Sequence, residues 1–245
     1  MILLSASYGN DSVALIQWAH EHGLNNVKVV FIDTGWAATW WLDRVDKGEQ
    51  WVKSLNMEAV RLRPVEQFED LMRHKKGFPS QRYQWCSVFL KGLPFLDYAE
   101  KVDPGCSSTV LVGKRRAESL NRSSTPEFVE SSEYHGGRKL WHPLYLHSDE
   151  ERNKLVQKTP LPVLEHRSME CSPCINANRY DLRALTEPEI QRVESLEKEI
   201  GKTMFRPKRV MGAKGIRQVL EWARSDRGKY TPSSNSGCDG GMCGL

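Results

Sequence analysis

Residues 5 to 12 read Ser5-Ala6-Ser7-Tyr8-Gly9-Asn10-Asp11-Ser12, and this stretch decides the fold that the chain is expected to adopt. It follows a short apolar run, Ile2 to Leu4, and leads directly into a segment of helical character, Val13 to His22. A strand, a tight turn rich in hydroxyl residues and a helix N-terminus form a geometry that binds phosphate, because the N–H groups of the turn point at the anion. A turn that merely caps a helix has a similar sequence, so the stretch alone leaves both interpretations open.

Four residues of the stretch are candidate phosphate ligands. Gly9 has no Cβ and lets the backbone approach an anion closely, and the hydroxyls of Ser7 and Ser12 add donors. The stretch lacks the Gly-Lys-Ser/Thr ending of a Walker loop and the three-glycine spacing of a dinucleotide fingerprint. Its form S-x-G-x-D-S, which includes Asp11, resembles the PP-loop of the ATP pyrophosphatases and adenine nucleotide α-hydrolases.

The composition is that of a soluble enzyme. A chain of 245 residues holds one large domain, or one domain with an appendage. We expect no signal peptide and no membrane span, because no basic residue precedes the short apolar N-terminus and no apolar stretch approaches about 20 residues. The net charge of +4 does not by itself indicate a partner. The six cysteines favour metal or redox chemistry over structural disulfides, and the expected location is cytoplasmic.

Four apolar runs, separated by helical stretches, predict an α/β fold with parallel strand pairing. The predicted strands are Ile2–Ala6, Val27–Ile32, Glu58–Leu62 and Ser107–Val112, and the first two helices are Val13–His22 and Thr39–Leu55.

The pattern changes near residue 160. We therefore predict a nucleotide-binding α/β domain over residues 1–160 and a C-terminal helical, cysteine-bearing portion over residues 161–245, packed on that domain and ending in a flexible tail. Apolar spacing predicts helices at Glu187–Ile200 and Ile216–Ala223 in this portion.

Loops at the carboxyl ends of parallel strands lie at one edge of a sheet, where ligands bind. This rule brings together the segments Ser7–Ser12, Asp33–Trp36 and Gly113–Arg122. Asp33 and Thr34 could hold a ribose hydroxyl or a magnesium ion, or simply cap the next helix.

The segment from Gly113 to Arg122 carries four cations, Lys114, Arg115, Arg116 and Arg122. Such cations suit a phosphate or sulfate group, and a solvated basic face is the alternative. As exposed side chains they should add little to folding stability.

Five segments fall in one order that resembles the phosphoadenosine phosphosulfate (PAPS) reductase family, a branch of the PP-loop superfamily. The resemblance covers most of residues 1 to 180 and implies a Rossmann-like adenine nucleotide α-hydrolase fold. The segments are Phe31-Ile32-Asp33-Thr34-Gly35, Trp85-Cys86-x4-Lys91-x2-Pro94, the Gly113–Arg122 motif G-x-R-x-x-E-S-x-x-R, Trp141-His142-Pro143-Leu144 and Cys171-Ser172-Pro173-Cys174.

The same resemblance implies a set of ligand-binding roles. Phosphate would be bound by Ser7, Gly9, Asp11 and Ser12, the nucleotide would lie near Asp33 and Thr34, and its anionic end would meet Gly113, Arg115, Arg116 and Arg122.

The cysteines indicate a metal site. Cys171 and Cys174 form a C-x-x-C loop that can present two thiolates to one metal. By resemblance to the iron–sulfur members of the family, Cys86 joins them to bind a [4Fe–4S] cluster. Those members have a Cys-Cys pair at this place, whereas residue 87 here is Ser, so the fourth ligand would be Cys243 or Cys238, or a non-protein group.

Other chemistries remain open for the same thiols. Zinc, a redox disulfide and inert buried cysteines are the alternatives. Cys243 is also a candidate catalytic thiol, a mobile sulfur carrier in the tail, and Cys106 is expected to be a core residue.

Two features favour sulfur transfer over a plain reductase. The reductases' C-terminal Glu-Cys-Gly-Leu/Ile-His motif is missing from the sequence, and Asp11-Ser12 resembles enzymes that split ATP into AMP and pyrophosphate. The expected function is therefore ATP- and Mg²⁺-dependent sulfur transfer to a nucleic acid or small acceptor, with Asp11, Ser12 and Cys243 as catalytic residues. The alternatives are a sulfonucleotide reductase that binds PAPS and a non-catalytic nucleotide-binding subunit.

Partners follow from the same reasoning. A sulfur or electron donor protein is expected, and a nucleic-acid acceptor has mild support. Residues 206–229 contain eight Lys or Arg against two acidic residues, with Trp222 among them. A solvated basic helix face is the alternative.

Overall fold

A computed structural model of the chain describes residues 1–205 and 215–225. Its centre is a six-stranded sheet in the order β3-β2-β1-β4-β6-β5. The strands are β1 Ile2–Ser5, β2 Val27–Ile32, β3 Glu58–Leu62, β4 Thr109–Leu111, β5 Phe128–Ser132 and β6 Arg138–Trp141.

Five of these strands run parallel, as predicted for the first four. β1 pairs with β2 and β4, β2 pairs with β3, and β4 pairs with β6. β5 runs antiparallel to β6, with an irregularity between Val129 and Ser132. The β5–β6 hairpin was not predicted, because its short strands are rich in polar residues and lack a clear alternation of apolar side chains.

Helices cover both faces of the sheet. α8 has the predicted bounds, and α1, α2 and α9 begin or end within three residues of theirs. The helices are α1 Asn10–Glu21, α2 Trp41–Ser54, α3 Phe68–Lys75, α4 Trp85–Ser87, α5 Leu93–Val102, α6 Asp149–Val156, α7 Arg179–Arg183, α8 Glu187–Ile200 and α9 Ile216–Arg224, with one π-helical turn, Val88–Gly92, between α4 and α5.

Alternating strand residues build a core on each face. Leu4, Val29 and Phe31 pack in the cluster that contains α1, α2 and α6. Leu3 and Val30 point the other way, into the cluster that contains Phe95 and Ala99 of α5. The result is a Rossmann-like α/β fold, which confirms the predicted fold class.

A third core joins the C-terminal helices to the first half of the chain. Val193 of α8 and Leu220 of α9 lie in one buried cluster with Phe68 and Met72 of α3 and with Trp36. The division at residue 160 stays a prediction. Among the described helices, none is long and apolar enough to cross a membrane.

The topology fixes where a ligand can bind. From β1 the chain crosses to β2 on one side, whereas β4 pairs with the opposite side of β1. The strand order therefore changes direction at β1 and β4, and the carboxyl ends of strands at such a point are where ligands bind in sheets of this kind.

Candidate nucleotide and thiol site

The loop after β1 is held in a bent conformation at the start of α1. Tyr8 has φ 58°, in the left-handed region, and α1 begins directly after Gly9. The N–H of Gly9 donates to Ser7 Oγ at 3.2 Å, and the hydroxyl of Ser12 donates to the carbonyl of Gly9 at 3.2 Å. The first-turn N–H groups of α1 have no partner within the helix, so this end suits an anion.

The loop after β4 closely approaches the segment Ser7–Ser12 after β1, which we call the phosphate loop. A Cβ on Gly113 would lie 3.0 Å from the backbone oxygen of Asp11. Arg115 Nε donates to Asp11 Oδ1 at 2.6 Å, and its other nitrogens donate to the carbonyl of His147 at 3.0 Å and to Asp149 at 2.8 Å. Two of the three predicted loops thus meet through an ion pair.

The expectation that the cations of the Gly113–Arg122 segment are exposed is wrong for two of them. The side chain of Arg115 is 0% exposed, and that of Arg122 is 11% exposed and paired with Glu118. Arg116 donates to the carbonyl of Thr125 at 2.8 Å and lies over the ring of Tyr145. The partners of Arg115 come from distant segments that no local pattern reveals, whereas Glu118 lies four residues before Arg122 in the same motif. The nucleotide-binding roles of these arginines stay predictions.

The loop after β2 meets the cysteines. Asp33 is buried, accepts the N–H of Gly35 at 3.1 Å and pairs with Arg63 at 3.3 Å. The hydroxyl of Thr34 lies 3.8 Å from Cys171 Sγ, within hydrogen-bonding reach of sulfur. Their roles toward a nucleotide stay predictions.

Cys86, Cys171 and Cys174 line one cavity of about 70 Å³, which we call the thiol cavity. Burial raises the pKa of Cys86 to about 12 and that of Cys171 to about 11, and the neighbouring thiols add to both shifts. Without a bound cation, Cys86 and Cys171 are therefore protonated at neutral pH, and a cation would stabilise their thiolate forms.

A buried ion pair borders the thiol cavity. Lys91 Nζ lies 2.5 Å from Glu170 Oε1, and both residues line the cavity. Burial alone would lower the pKa of Lys91, but the charges of Glu170 and Cys171 outweigh it and raise the pKa. This pair was missed as a site feature, although Lys91 stands in the Trp85–Pro94 motif and Glu170 directly precedes the C-x-x-C loop.

The described residues contain no group of three or more His, Cys, Asp or Glu side chains arranged to hold one metal ion. Cys86, Cys171 and Cys174 line one cavity, and cysteine thiolates are donors that both zinc sites and iron–sulfur clusters use. The metal that these residues would hold stays a prediction. Cys238 and Cys243, the predicted sources of a fourth ligand, lie outside the described residues.

Cys106 is a separate case. It is exposed, with φ 51°, in the turn after α5, where its N–H donates to the carbonyl of Asp103 at 3.1 Å. The prediction of a core cysteine is wrong, because strand β4 begins only at Thr109.

Residues 164–172 connect the two parts of the site, and we call this segment the strap. The side chain of Asn10 donates to the carbonyl of Leu164 at 2.8 Å and accepts its N–H at 2.9 Å. A Cβ on Gly9 would lie 3.0 Å from Ser168 Cβ, and Ser168 also lines the thiol cavity. Ser168 Oγ is buried and has no hydrogen-bond partner within the described ranges. No sequence signal marks Ser168.

Comparison with known proteins places this arrangement in a family. The family model described as the phosphoadenosine phosphosulfate reductase domain matches residues 1–199. The chain belongs to this family. The resemblance inferred from the five ordered segments is thereby confirmed, while no curated protein sequence matches the chain.

Solved structures show more distant likeness. A PAPS reductase from Candida auris, in a phosphate complex, is 14% identical with a TM-score of 0.48, over 66% of this chain and 74% of that one. Two structures of an FMN adenylyltransferase from Candida glabrata are 11% identical with TM-scores of 0.40, over 95% of this chain and 74% of theirs. One holds FAD and inorganic pyrophosphate, and the other FMN and an ATP analogue.

Proposed function

We propose that the chain is an enzyme that binds ATP at its phosphate loop and couples ATP cleavage to AMP and pyrophosphate with sulfur transfer. One observation carries the proposal. Ser168 contacts Gly9 of the phosphate loop and lines the thiol cavity. A nucleotide seated on the loop would therefore lie next to three thiols, as chemistry that joins an activated nucleotide to sulfur requires.

The phosphate loop supplies the means to hold a triphosphate. The N–H groups of the first turn of α1 and the helix dipole favour negative charge there. Asp11 engages Arg115 and Arg152 through Oδ1, and its side chain remains 34% exposed. Its carboxylate is thus a reasonable ligand for the Mg²⁺ ion that accompanies ATP. Asp33 and Thr34 are proposed to lie near the nucleotide, with Ser7 and Ser12 at its phosphates.

The thiol cavity is proposed to bind a [4Fe–4S] cluster through Cys86, Cys171 and Cys174, with Cys243 or Cys238 as the fourth ligand. When bound, the cluster would supply a site for sulfur or for electrons. The charge of Lys91 favours the thiolate forms of Cys86 and Cys171, and Glu170 holds the Lys91 ammonium in place. The acceptor would be a nucleic acid or a small molecule, and a separate protein would supply sulfur or electrons.

Sulfonucleotide reduction is the second candidate, and membership of the PAPS reductase domain family favours it. In that case PAPS would replace ATP, and the thiols would serve reduction. A non-catalytic nucleotide-binding subunit is the candidate from another class.

Calorimetric titration with ATP, AMP and PAPS tests the nucleotide. We expect ATP to bind, and Asp11→Asn to weaken binding by about tenfold or more, the effect of losing a charge-assisted contact. Asp43→Asn, which alters an exposed carboxylate on α2, should bind as the unchanged protein does. Preference for PAPS over ATP would favour the reductase, and failure to bind any adenine nucleotide would exclude both enzymes.

Anaerobic purification tests the cluster. The protein should show the broad visible absorbance of thiolate-bound iron–sulfur, and Cys171→Ser should abolish it. Cys106→Ser should retain it, because Cys106 lies on the surface away from the cavity. Retained absorbance in Cys171→Ser would place the iron elsewhere.

A further inference from the structure

Arg44 of α2 is a buried cation with an unfilled hydrogen-bonding position beside the phosphate loop. The residue is 7% exposed, and its Nε donates to the carbonyl of Tyr8 at 2.8 Å. Its Nη2 is buried with no hydrogen-bond partner, and no carboxylate forms an ion pair with it anywhere in residues 1–205 and 215–225. The guanidinium lies 5.8 Å from the ring centroid of Trp41.

An unpaired buried guanidinium is unfavourable in the free protein. Burial lowers the pKa of Arg44 to about 10, so the group remains charged at neutral pH without a compensating anion. Buried charges are normally paired, since loss of hydration is otherwise uncompensated. The neighbouring loop is the part of the molecule whose backbone is arranged to receive an anion.

Arg44 also fixes the orientation of the loop. In a trans peptide the C=O and N–H point in opposite directions, so binding the Tyr8 carbonyl turns the Gly9 N–H to the other side. There it donates to Ser7 Oγ at 3.2 Å. Trp41 Nε1 donates in the same way to the carbonyl of Ser7 at 3.2 Å. α2 thus holds two loop carbonyls on its own side, against the strain of a left-handed Tyr8.

We infer that Arg44 is a positioning residue of the phosphate site. It fixes the Tyr8–Gly9 peptide so that the Gly9 N–H faces Ser7 Oγ, on the side of the loop away from α2, and its unpaired buried charge favours a polyphosphate on the loop. The inference rests on the proposed function, because it requires that the loop binds the phosphates of a nucleotide. The inference adds Arg44, a residue of helix α2, to the phosphate site that the Ser7–Ser12 motif predicts.

Two variants separate the two roles of Arg44. Arg44→Gln removes the charge and leaves an N–H donor for the Tyr8 carbonyl, and Arg44→Met removes both. Arg61→Met is the matched control, because Arg61 also lies against α2, where it pairs with Asp46 and Glu49, and its ion pairs within the described residues are with these helix carboxylates and not with the loop. Binding is measured by calorimetry with ATP and with inorganic pyrophosphate, and unfolding is measured with and without pyrophosphate.

We expect Arg44→Gln to bind pyrophosphate about tenfold more weakly and Arg44→Met still more weakly, since hydrogen bonds and charges at an anion contribute on this scale. Arg61→Met should bind as the unchanged protein does. Pyrophosphate should raise the unfolding temperature of the unchanged protein by more than that of either Arg44 variant. A merely structural Arg44 would lower the unfolding temperature equally with and without pyrophosphate.

The outcomes distinguish the inference from the proposed function. If the unchanged protein binds neither ATP nor pyrophosphate, the proposed function fails and the inference fails with it. If the unchanged protein and Arg44→Gln bind equally, only the role of Arg44 is overturned. If Arg44→Met fails to fold, the pyrophosphate affinity of Arg44→Gln still tests the role of Arg44. If neither variant folds, Trp41→Phe is measured instead. A pyrophosphate affinity of Trp41→Phe equal to that of the unchanged protein would overturn the inference that α2 fixes the loop.

Discussion

Arg115 joins the loops after β1 and β4, and its side chain donates hydrogen bonds to partners within the protein. Its guanidinium meets Asp11, Asp149 and the carbonyl of His147, and its N–H donates to Glu118 at 3.0 Å. Arg152 approaches the same two aspartates at 3.5 and 3.2 Å. At the scale of single residues, Arg115 therefore fixes Asp11 in place, and its contribution to a nucleotide would be made through that carboxylate.

Replacing Arg115 with Met should destabilise the fold and weaken nucleotide binding together. Removing one partner from a buried pair costs about 3 to 5 kcal/mol, and we expect the lower end because both aspartates are partly exposed. Urea denaturation measures the free energy of unfolding. The control is Arg82→Met, which removes an exposed arginine that lies over Tyr83. A decrease in the free energy of unfolding of less than about 1 kcal/mol would show that Arg115 contributes no more than an exposed surface cation does.

At the scale of elements, helix α2 and the phosphate loop are fitted to each other. The ring of Tyr8 lies on Gly48 of α2, where an added Cβ would be 2.3 Å from Tyr8 Cδ1. Tyr8 is fully buried, as are Trp41 and Val45 on the same helix. The glycine in mid-helix is explained by this contact, because any larger residue would displace the ring and the loop with it.

Gly48→Ala should therefore destabilise the protein, although alanine is the better helix former by about 1 kcal/mol. Overpacking of a tight core costs about 1 to 3 kcal/mol, and the Tyr8 ring has no space to move into. Lys47→Ala, on the exposed side of the same helix, should leave stability nearly unchanged. Thermal unfolding of both variants shows whether each substitution raises or lowers the unfolding temperature. A Gly48→Ala variant more stable than the unchanged protein would show that the Tyr8 ring can move to make room.

Elements with strong local signals were predicted, and those defined by tertiary contacts were not. Helix α8 is amphipathic, with Thr186 and Pro188 at its start and a left-handed Gly201 at its end, so its bounds follow from the sequence. Strand β5 exposes most of its side chains as an edge strand and gives no such signal.

The candidate site divides in the same way. The meeting of the Ser7–Ser12 and Gly113–Arg122 loops follows from the sheet topology, which the alternation of strands and helices already indicates. Arg44, Glu170 and Ser168 acquire their positions from burial and long-range contacts, and a single sequence carries no periodic signal for these.

At the scale of the whole molecule, the strap joins the nucleotide side to the thiol side. Ala38 N donates to the carbonyl of Met169 at 3.0 Å, and Ser172 N donates to that of Trp36 at 2.7 Å. Together with the Asn10–Leu164 and Gly9–Ser168 contacts, these bonds connect the strap to the loops after β1 and β2. A ligand that orders the phosphate loop should therefore restrict access to the thiol cavity.

The rate at which each cysteine reacts with an alkylating reagent tests this coupling in metal-free protein. Among the cysteines of the described residues, Cys106 should react first, because it is exposed, whereas burial and the raised pKa values of about 12 and 11 keep Cys86 and Cys171 protonated. Since thiolate is the reactive form, the rates of these two should rise about tenfold per pH unit between pH 8 and 10. ATP should slow the cavity cysteines and leave Cys106 unchanged, as measured by mass spectrometry of each labelled peptide. Equal slowing of all cysteines would indicate a general loss of flexibility, and no slowing at all would separate the nucleotide from the thiols.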